Sequence, residues 1–138
     1  MALDVETLEE SFDLVAPQGD QLIQTFYDRL FETAPSVKPL FEHVEMERQR
    51  QALLNMLVVL RESLRDLDDI APDLQDLGER HVGYGAAPEH YPIVGQVLIG
   101  AMAEVAGDAW KPHYTDAWQE AYGVVQQVML SGAAPEER

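Results

Sequence analysis

Three residues of this 138-residue chain have types and settings that suggest chemistry: His81, Tyr27 and Gln49. His81 follows Leu74 and Leu77 at spacings of 3 and 4, so its imidazole lies on the core-facing stripe of a helix. Such a histidine has two readings. It is a buried ring donating to a nearby carbonyl, or it is an axial ligand to a flat apolar cofactor. Imidazole is the commonest transition-metal ligand left to a chain without cysteine. Tyr27 sits beside Phe26 on another inward stripe, and Gln49 stands one turn before Leu53. An unpartnered buried polar atom costs about 1–3 kcal/mol, so both need something to bond. An internal tyrosine–glutamine bond would satisfy them, as would a glutamine at the solvent edge.

Other chemistries find little support. The four histidines, His43, His81, His90 and His113, include no pair at helical metal-site spacing, and there is no HExxH. The glycines form neither a GxGxxG nor a P-loop, and no serine has a nucleophile-elbow setting. Absence of cysteine removes disulfides, thiol nucleophiles, thiolate metal sites and any thioether-attached cofactor.

The elements that must position these residues read as helices throughout. Val5, Leu8, Phe12 and Val15 form one stripe, which Pro17 and Gly19 interrupt. Leu22, Ile23, Phe26, Tyr27, Leu30 and Phe31 form a wider stripe ending near Pro35. The stretch Pro35 to Phe41 predicts a corner. Gln49, Leu53, Leu57, Leu60 and Leu64 share a face of the next helix. A short helix is expected from Pro72, since proline suits the first helical position, and it should stop at Gly83 and Gly85. Pro88 and Pro92 open a long helix carrying Tyr91, Val94, Leu98, Met102 and Val105. After Gly107 a last helix carries Trp118, Tyr122, Val125 and Met129, and residues 132–138 read as a frayed tail. The expectation is one all-α domain over 1–138, with six to seven helices.

Composition agrees with a soluble protein: 46% hydrophobic and 25% charged. Nine Lys and Arg against 25 Asp and Glu give −16 at pH 7, which disfavours nucleic acid and anionic membrane surfaces as partners. The acidic start lacks the pattern of a signal peptide, and Ile93 to Ala106 is too short to span a bilayer, so a cytoplasmic location is expected.

In order along the chain stand Phe26-Tyr27-Asp28-Arg29-Leu30-Phe31, Pro39-Leu40-Phe41 and Gly78-Glu79-Arg80-His81 through Gly85. His90-Tyr91-Pro92-Ile93-Val94-Gly95 and Asp116-Ala117-Trp118 through Ala121-Tyr122-Gly123 follow them. With these blocks the chain resembles bacterial single-domain haemoglobins, similar to the haem domain of flavohaemoglobins. The resemblance covers nearly its whole length. It implies a globin fold around a haem pocket, with a non-covalent b-type haem whose iron is held by His81.

By the same resemblance Tyr27 and Gln49 match the distal pair that stabilises bound dioxygen. Phe41 matches the haem-wedging phenylalanine, and Leu53 the apolar residue above the iron. Arg80 is placed to pair with a haem propionate, and Tyr91 matches the tyrosine on the proximal side. Leu57, Leu77, Val94 and Leu98 complete the apolar walls. One position departs from the pattern: the glutamate of the flavohaemoglobin proximal network falls on Ala133, and Glu136 and Glu137 lie farther along.

The function implied is reversible dioxygen binding for transport or storage, with nitric oxide and carbon monoxide as competing ligands. The first rival is a nitric oxide dioxygenase, which would need a separate reductase; weak peroxidase activity belongs to the same class. The second is a haem-free helical signalling module.

Overall fold

The computed structural model describes residues 4–42, 44–83 and 90–133. Among them are six α-helices: α1 (Val5–Val15), α2 (Gly19–Thr33), α3 (Met46–Glu62), α4 (Leu67–Gly83), α5 (His90–Ala106) and α6 (Pro112–Ala133). Short 3-10 turns, Ala16–Gln18, Pro35–Phe41 and Gly107–Ala109, join neighbours. There is no strand among the described residues. No described helix is long and apolar enough to cross a membrane.

Local chemistry sets the helix starts. The Asp4 side chain accepts from the Thr7 amide and Glu45 accepts from the Arg48 amide, each satisfying one orphan donor at a helix N-terminus. Gly107 adopts φ 61°, the left-handed conformation that closes α5 and turns the chain toward α6. Pro17 lies in the 3-10 turn between α1 and α2, which changes direction there as the sequence predicts.

One boundary differs. α4 begins at Leu67, not at Pro72, so it is a 17-residue helix with proline inside it. Proline at its sixth position removes one hydrogen bond, to the carbonyl four residues earlier, just beyond the turn whose amides have no helical partner anyway. Packing of Ile70, Leu74 and Leu77 against Met129 and its neighbours offsets that loss. Pro92 likewise sits in the first turn of α5, where its missing N–H costs nothing. Gly85, Pro88 and the tail beyond Ala133 lie outside the described residues, as does His43.

The helices pack in pairs, α4 on α6 and α2 on α5, with α1 laid across α3, α5 and α6. The main core joins Leu8, Phe12, Val15, Leu22, Ile23 and Phe26 to Leu57, Leu60, Leu98 and Met102. Within it the buried Trp118 indole donates to Ser11 Oγ at 2.8 Å, and Ser11 donates on to the Thr7 carbonyl at 2.7 Å. This chain fixes α6 to α1. Arg61 of α3 pairs with Asp13 and Glu9, and Arg65, just after α3, with Glu9, holding this end of α3 to α1 at the surface.

Candidate functional site

The predicted site residues fall into two groups of touching side chains. The first centres on Tyr27, which is 5% exposed on α2. Gln49, half-buried on α3, donates from Nε2 to the Tyr27 hydroxyl at 3.1 Å. The phenol oxygen is therefore an acceptor here, and its own proton is left for another acceptor. Burial pushes the Tyr27 pKa up, opposed by the Gln49 hydrogen bond and the Arg50 charge, so the hydroxyl stays a neutral donor.

Phe41, at the end of the Pro35–Phe41 turn, meets the Tyr27 ring edge-on with centroids 5.8 Å apart. Phe31 completes an aromatic triangle, 5.9 Å from Tyr27 and 5.3 Å from Phe41. The sequence alone marked Phe31 only as part of the α2 stripe, although its place one turn after Tyr27 puts the two rings on one face. Leu53 and Val94 pack half-buried against the main core, and Leu57 and Leu98 lie within it.

The second group is built around His81, in the last turn of α4. His81 Nδ1 lies 2.7 Å from the Leu77 carbonyl oxygen. A carbonyl can only accept, so Nδ1 carries the proton, and in the neutral ring the lone pair is on Nε2. The Tyr91 ring stands 6.4 Å from the imidazole. Leu77 packs with Leu74, Tyr91 and Met129 in a satellite cluster between α4, α5 and α6. Arg80, preceding His81, is exposed. Burial raises the Tyr91 and Tyr122 pKa values as well.

Two close approaches position this group, and neither had been assigned a role from sequence. A Cβ on Gly78 would stand 1.9 Å from the Met129 carbonyl oxygen, so α4 meets α6 backbone to backbone three residues before His81. A Cβ on Gly95 would stand 2.6 Å from the Tyr122 ring. Tyr122 in turn donates its hydroxyl to the Tyr91 carbonyl at 2.6 Å, tying α6 to α5 beside Tyr91. The available signal was glycine inside helices, where it costs about 1 kcal/mol relative to alanine unless packing requires it.

A polar cleft of about 350 Å³ between α2 and α3 is lined by Asp20, Ile23, Gln24, Glu47, Arg50, Gln51 and Leu54. It includes neither Tyr27 nor Gln49. Among the described residues no group of three or more His, Asp or Glu is placed to hold a metal ion by itself.

The family model described as Globin matches residues 24–129. The chain belongs to the globin family. It is 32% identical over 128 residues, 91% of its length, to the flavohemoprotein of Bacillus subtilis (strain 168), covering 32% of that protein. It is 33% identical to the flavohemoprotein of Rhodopirellula baltica over 97% of its length and 34% of that protein. This globin thus spans about a third of the curated relatives it matches. Its fold matches a bacterial globin from Campylobacter jejuni with a TM-score of 0.81 at 24% identity, covering 94% of this chain and 93% of that one. It matches an engineered carbene transferase, built on a Rhodothermus marinus protein named for nitric oxide dioxygenation, with a TM-score of 0.85 at 23% identity. That match covers 96% of this globin and 94% of the other chain.

Proposed function

We propose that residues 1–138 form one globin domain that binds a single non-covalent b-type haem and takes dioxygen reversibly, for transport or storage. The carrying observation is the Gln49–Tyr27 hydrogen bond, in which Tyr27 accepts and so keeps a proton to give. When bound, haem would supply a ferrous centre able to take diatomic ligands, with nitric oxide and carbon monoxide competing. The donor set fits that group. His81 offers Nε2 because Nδ1–H is committed to Leu77, which also fixes the ring's orientation. Phe41, Leu53, Leu57, Val94 and Leu98 supply apolar surface, with Leu77 and Tyr91 on the His81 side. Exposed Arg80 is available to a propionate at the solvent edge.

In this reading the Tyr27 hydroxyl and Gln49 amide would be the hydrogen-bond donors offered to a diatomic ligand that carries negative charge. Two such donors, at about 1–2 kcal/mol each, would slow oxygen release by roughly thirty- to a thousand-fold. The test is an absorption spectrum of the purified chain, ferric, then reduced under air and under carbon monoxide. A Soret band that shifts with each gas and returns on its removal is expected. A chain that takes up no haem would overturn the reading.

The Rhodothermus marinus neighbour, named for nitric oxide dioxygenation, suggests a second reading: that chemistry, with electrons from a separate reductase. Catalytic nitric oxide consumption that tracks added reductase would select it over simple oxygen carriage.

A further inference from the structure

Arg50, half-buried on α3, forms no ion pair among the described residues. Arg29, Arg61 and Arg65 are each held by a carboxylate, and Arg48 and Arg80 are exposed to water. A partly desolvated charge is costly unless something compensates it, and this chain has 25 Asp and Glu to offer. The guanidinium is nonetheless left uncommitted.

Its place on the helix pair is specific. Arg50 follows Gln49 and lines the polar cleft of about 350 Å³ between α2 and α3. Two contacts bound that stretch. At one end a Cβ on Gly19 would stand 3.0 Å from the Leu54 side chain; at the other Gln49 bonds the Tyr27 hydroxyl. Arg50 lies between them, one position from the donor to the phenol. Its charge reaches that hydroxyl and lowers the Tyr27 pKa, against the larger effect of burial. Asp20 and Glu47 line the same cleft, but neither pairs with Arg50 and neither moves the Tyr27 pKa.

On the reading of Tyr27 and Gln49 as the ligand side of a haem pocket, we infer that Arg50 is a specificity-determining residue, whose charge favours ligands carrying negative charge over neutral ones. A hydroxyl or amide acts on the atom it bonds and needs contact and direction. A charge needs neither, so Arg50 can act from the cleft without entering the pocket. Half-sheltered, it is screened less by salt than exposed Arg48. The net charge of −16 otherwise opposes the approach of any small anion, which makes one local cation count for more.

The experiment compares the haem-loaded chain with Arg50→Gln and Arg50→Lys at one pH. It reads azide affinity in the ferric form and carbon monoxide affinity in the ferrous form. Haem uptake is read first, from the Soret band. A chain that takes up none overturns the haem reading and this inference with it, whereas a loaded chain tests Arg50 alone. Arginine, lysine and glutamine have similar helix propensities, so circular dichroism should not change. Should Arg50→Gln prove unstable, Arg50→Met removes the same charge. Arg50→Gln should weaken azide about three- to tenfold, the effect of one charge across a partly solvated separation, and leave carbon monoxide within about twofold. Arg50→Lys should restore azide binding, and the loss in Arg50→Gln should shrink as salt rises. Equal losses for both ligands would make Arg50 a wall of the cleft and overturn the inference. So would an azide affinity indifferent to Arg50→Gln, or one that lysine fails to restore.

Discussion

Gln49 Nε2 donates to the Tyr27 hydroxyl at 3.1 Å, joining α3 to α2 and turning the tyrosine's own proton toward another acceptor. Burial pushes that phenol's pKa above its ordinary 10.0, so it holds its proton at neutral pH. Tyr27→Phe removes the proton and keeps the ring, with its contacts to Phe31 and Phe41. Oxygen dissociation should then accelerate about tenfold or more, the equivalent of one good hydrogen bond. Carbon monoxide carries less negative charge, so its release should change much less. Equal acceleration of both gases would mean that Tyr27 acts by size.

His81→Gly tests the other group. The variant should fold, since the lost ring bonds a carbonyl of its own helix, yet lose haem unless free imidazole is supplied. An unchanged Soret band without imidazole would remove His81 from the role.

Three glycines inside or beside the site form a graded series. Gly78→Ala places a methyl 1.9 Å from a backbone oxygen of α6, which cannot rotate away. It should destabilise by at least the 1–3 kcal/mol, roughly, of an overpacked core, and shift His81 with α4. Gly95→Ala meets the Tyr122 ring at 2.6 Å, a side chain with some freedom, and should cost less. Gly123→Ala meets nothing within 4 Å and is exposed on α6. It should stabilise by about 0.5–1 kcal/mol through helix propensity alone. Thermal midpoints in that order check the packing; equal midpoints for Gly78→Ala and Gly123→Ala would refute the α4–α6 contact.

Much of this was legible in the sequence because it rests on helical period. The stripes through Val15, Phe26–Tyr27 and Leu57–Leu60 are buried as their spacing requires. Of the two partners open to Tyr27 and Gln49, the internal bond is the one formed. Pro72 misled, because proline is informative about a helix start only when tertiary packing does not carry the helix through it. Phe31 on Phe41 and Tyr122 on the Tyr91 carbonyl were not legible. Each joins residues of different elements, and hydrophobic period gives a residue's face but not the neighbour that covers it.

Alkaline stability follows from three phenols. Burial raises the pKa of Tyr27, Tyr91 and Tyr122 above the ordinary 10.0, with Tyr91's proximity adding to the effect at Tyr122. A group whose pKa rises on folding holds its proton more tightly when folded. Its contribution is complete below about pH 10 and is lost as pH climbs toward the folded value. Urea midpoints should therefore fall above pH 10, and less steeply in Tyr122→Phe, which keeps the ring and removes one ionisation. That variant also loses the bond to the Tyr91 carbonyl and should be about 1 kcal/mol less stable at neutral pH. Reversible ionisation of these tyrosines at 295 nm with helicity intact would contradict the assignment.

The proton on His81 Nδ1 bears on whether this globin carries oxygen or activates it. Its acceptor is the Leu77 carbonyl at 2.7 Å, a neutral oxygen. By the resemblance to flavohaemoglobins, the place of the glutamate that joins their proximal network falls on Ala133 in this chain. A charged acceptor strengthens such a bond to about 1.5–3 kcal/mol and pushes the ring toward imidazolate, enriching electron density at the metal. A backbone carbonyl does much less. His81 should then behave as a neutral imidazole, which suits reversible binding better than peroxidase-like or dioxygenase chemistry. The measurement is the iron–histidine stretch of the ferrous, haem-loaded protein, before and after Tyr91→Phe. A low frequency in both is expected, because the Leu77 bond needs nothing from the Tyr91 hydroxyl. A high, imidazolate-like frequency that collapses in Tyr91→Phe would show a carboxylate acting through Tyr91 in place of the lost glutamate, and would move the assignment from carrier toward enzyme.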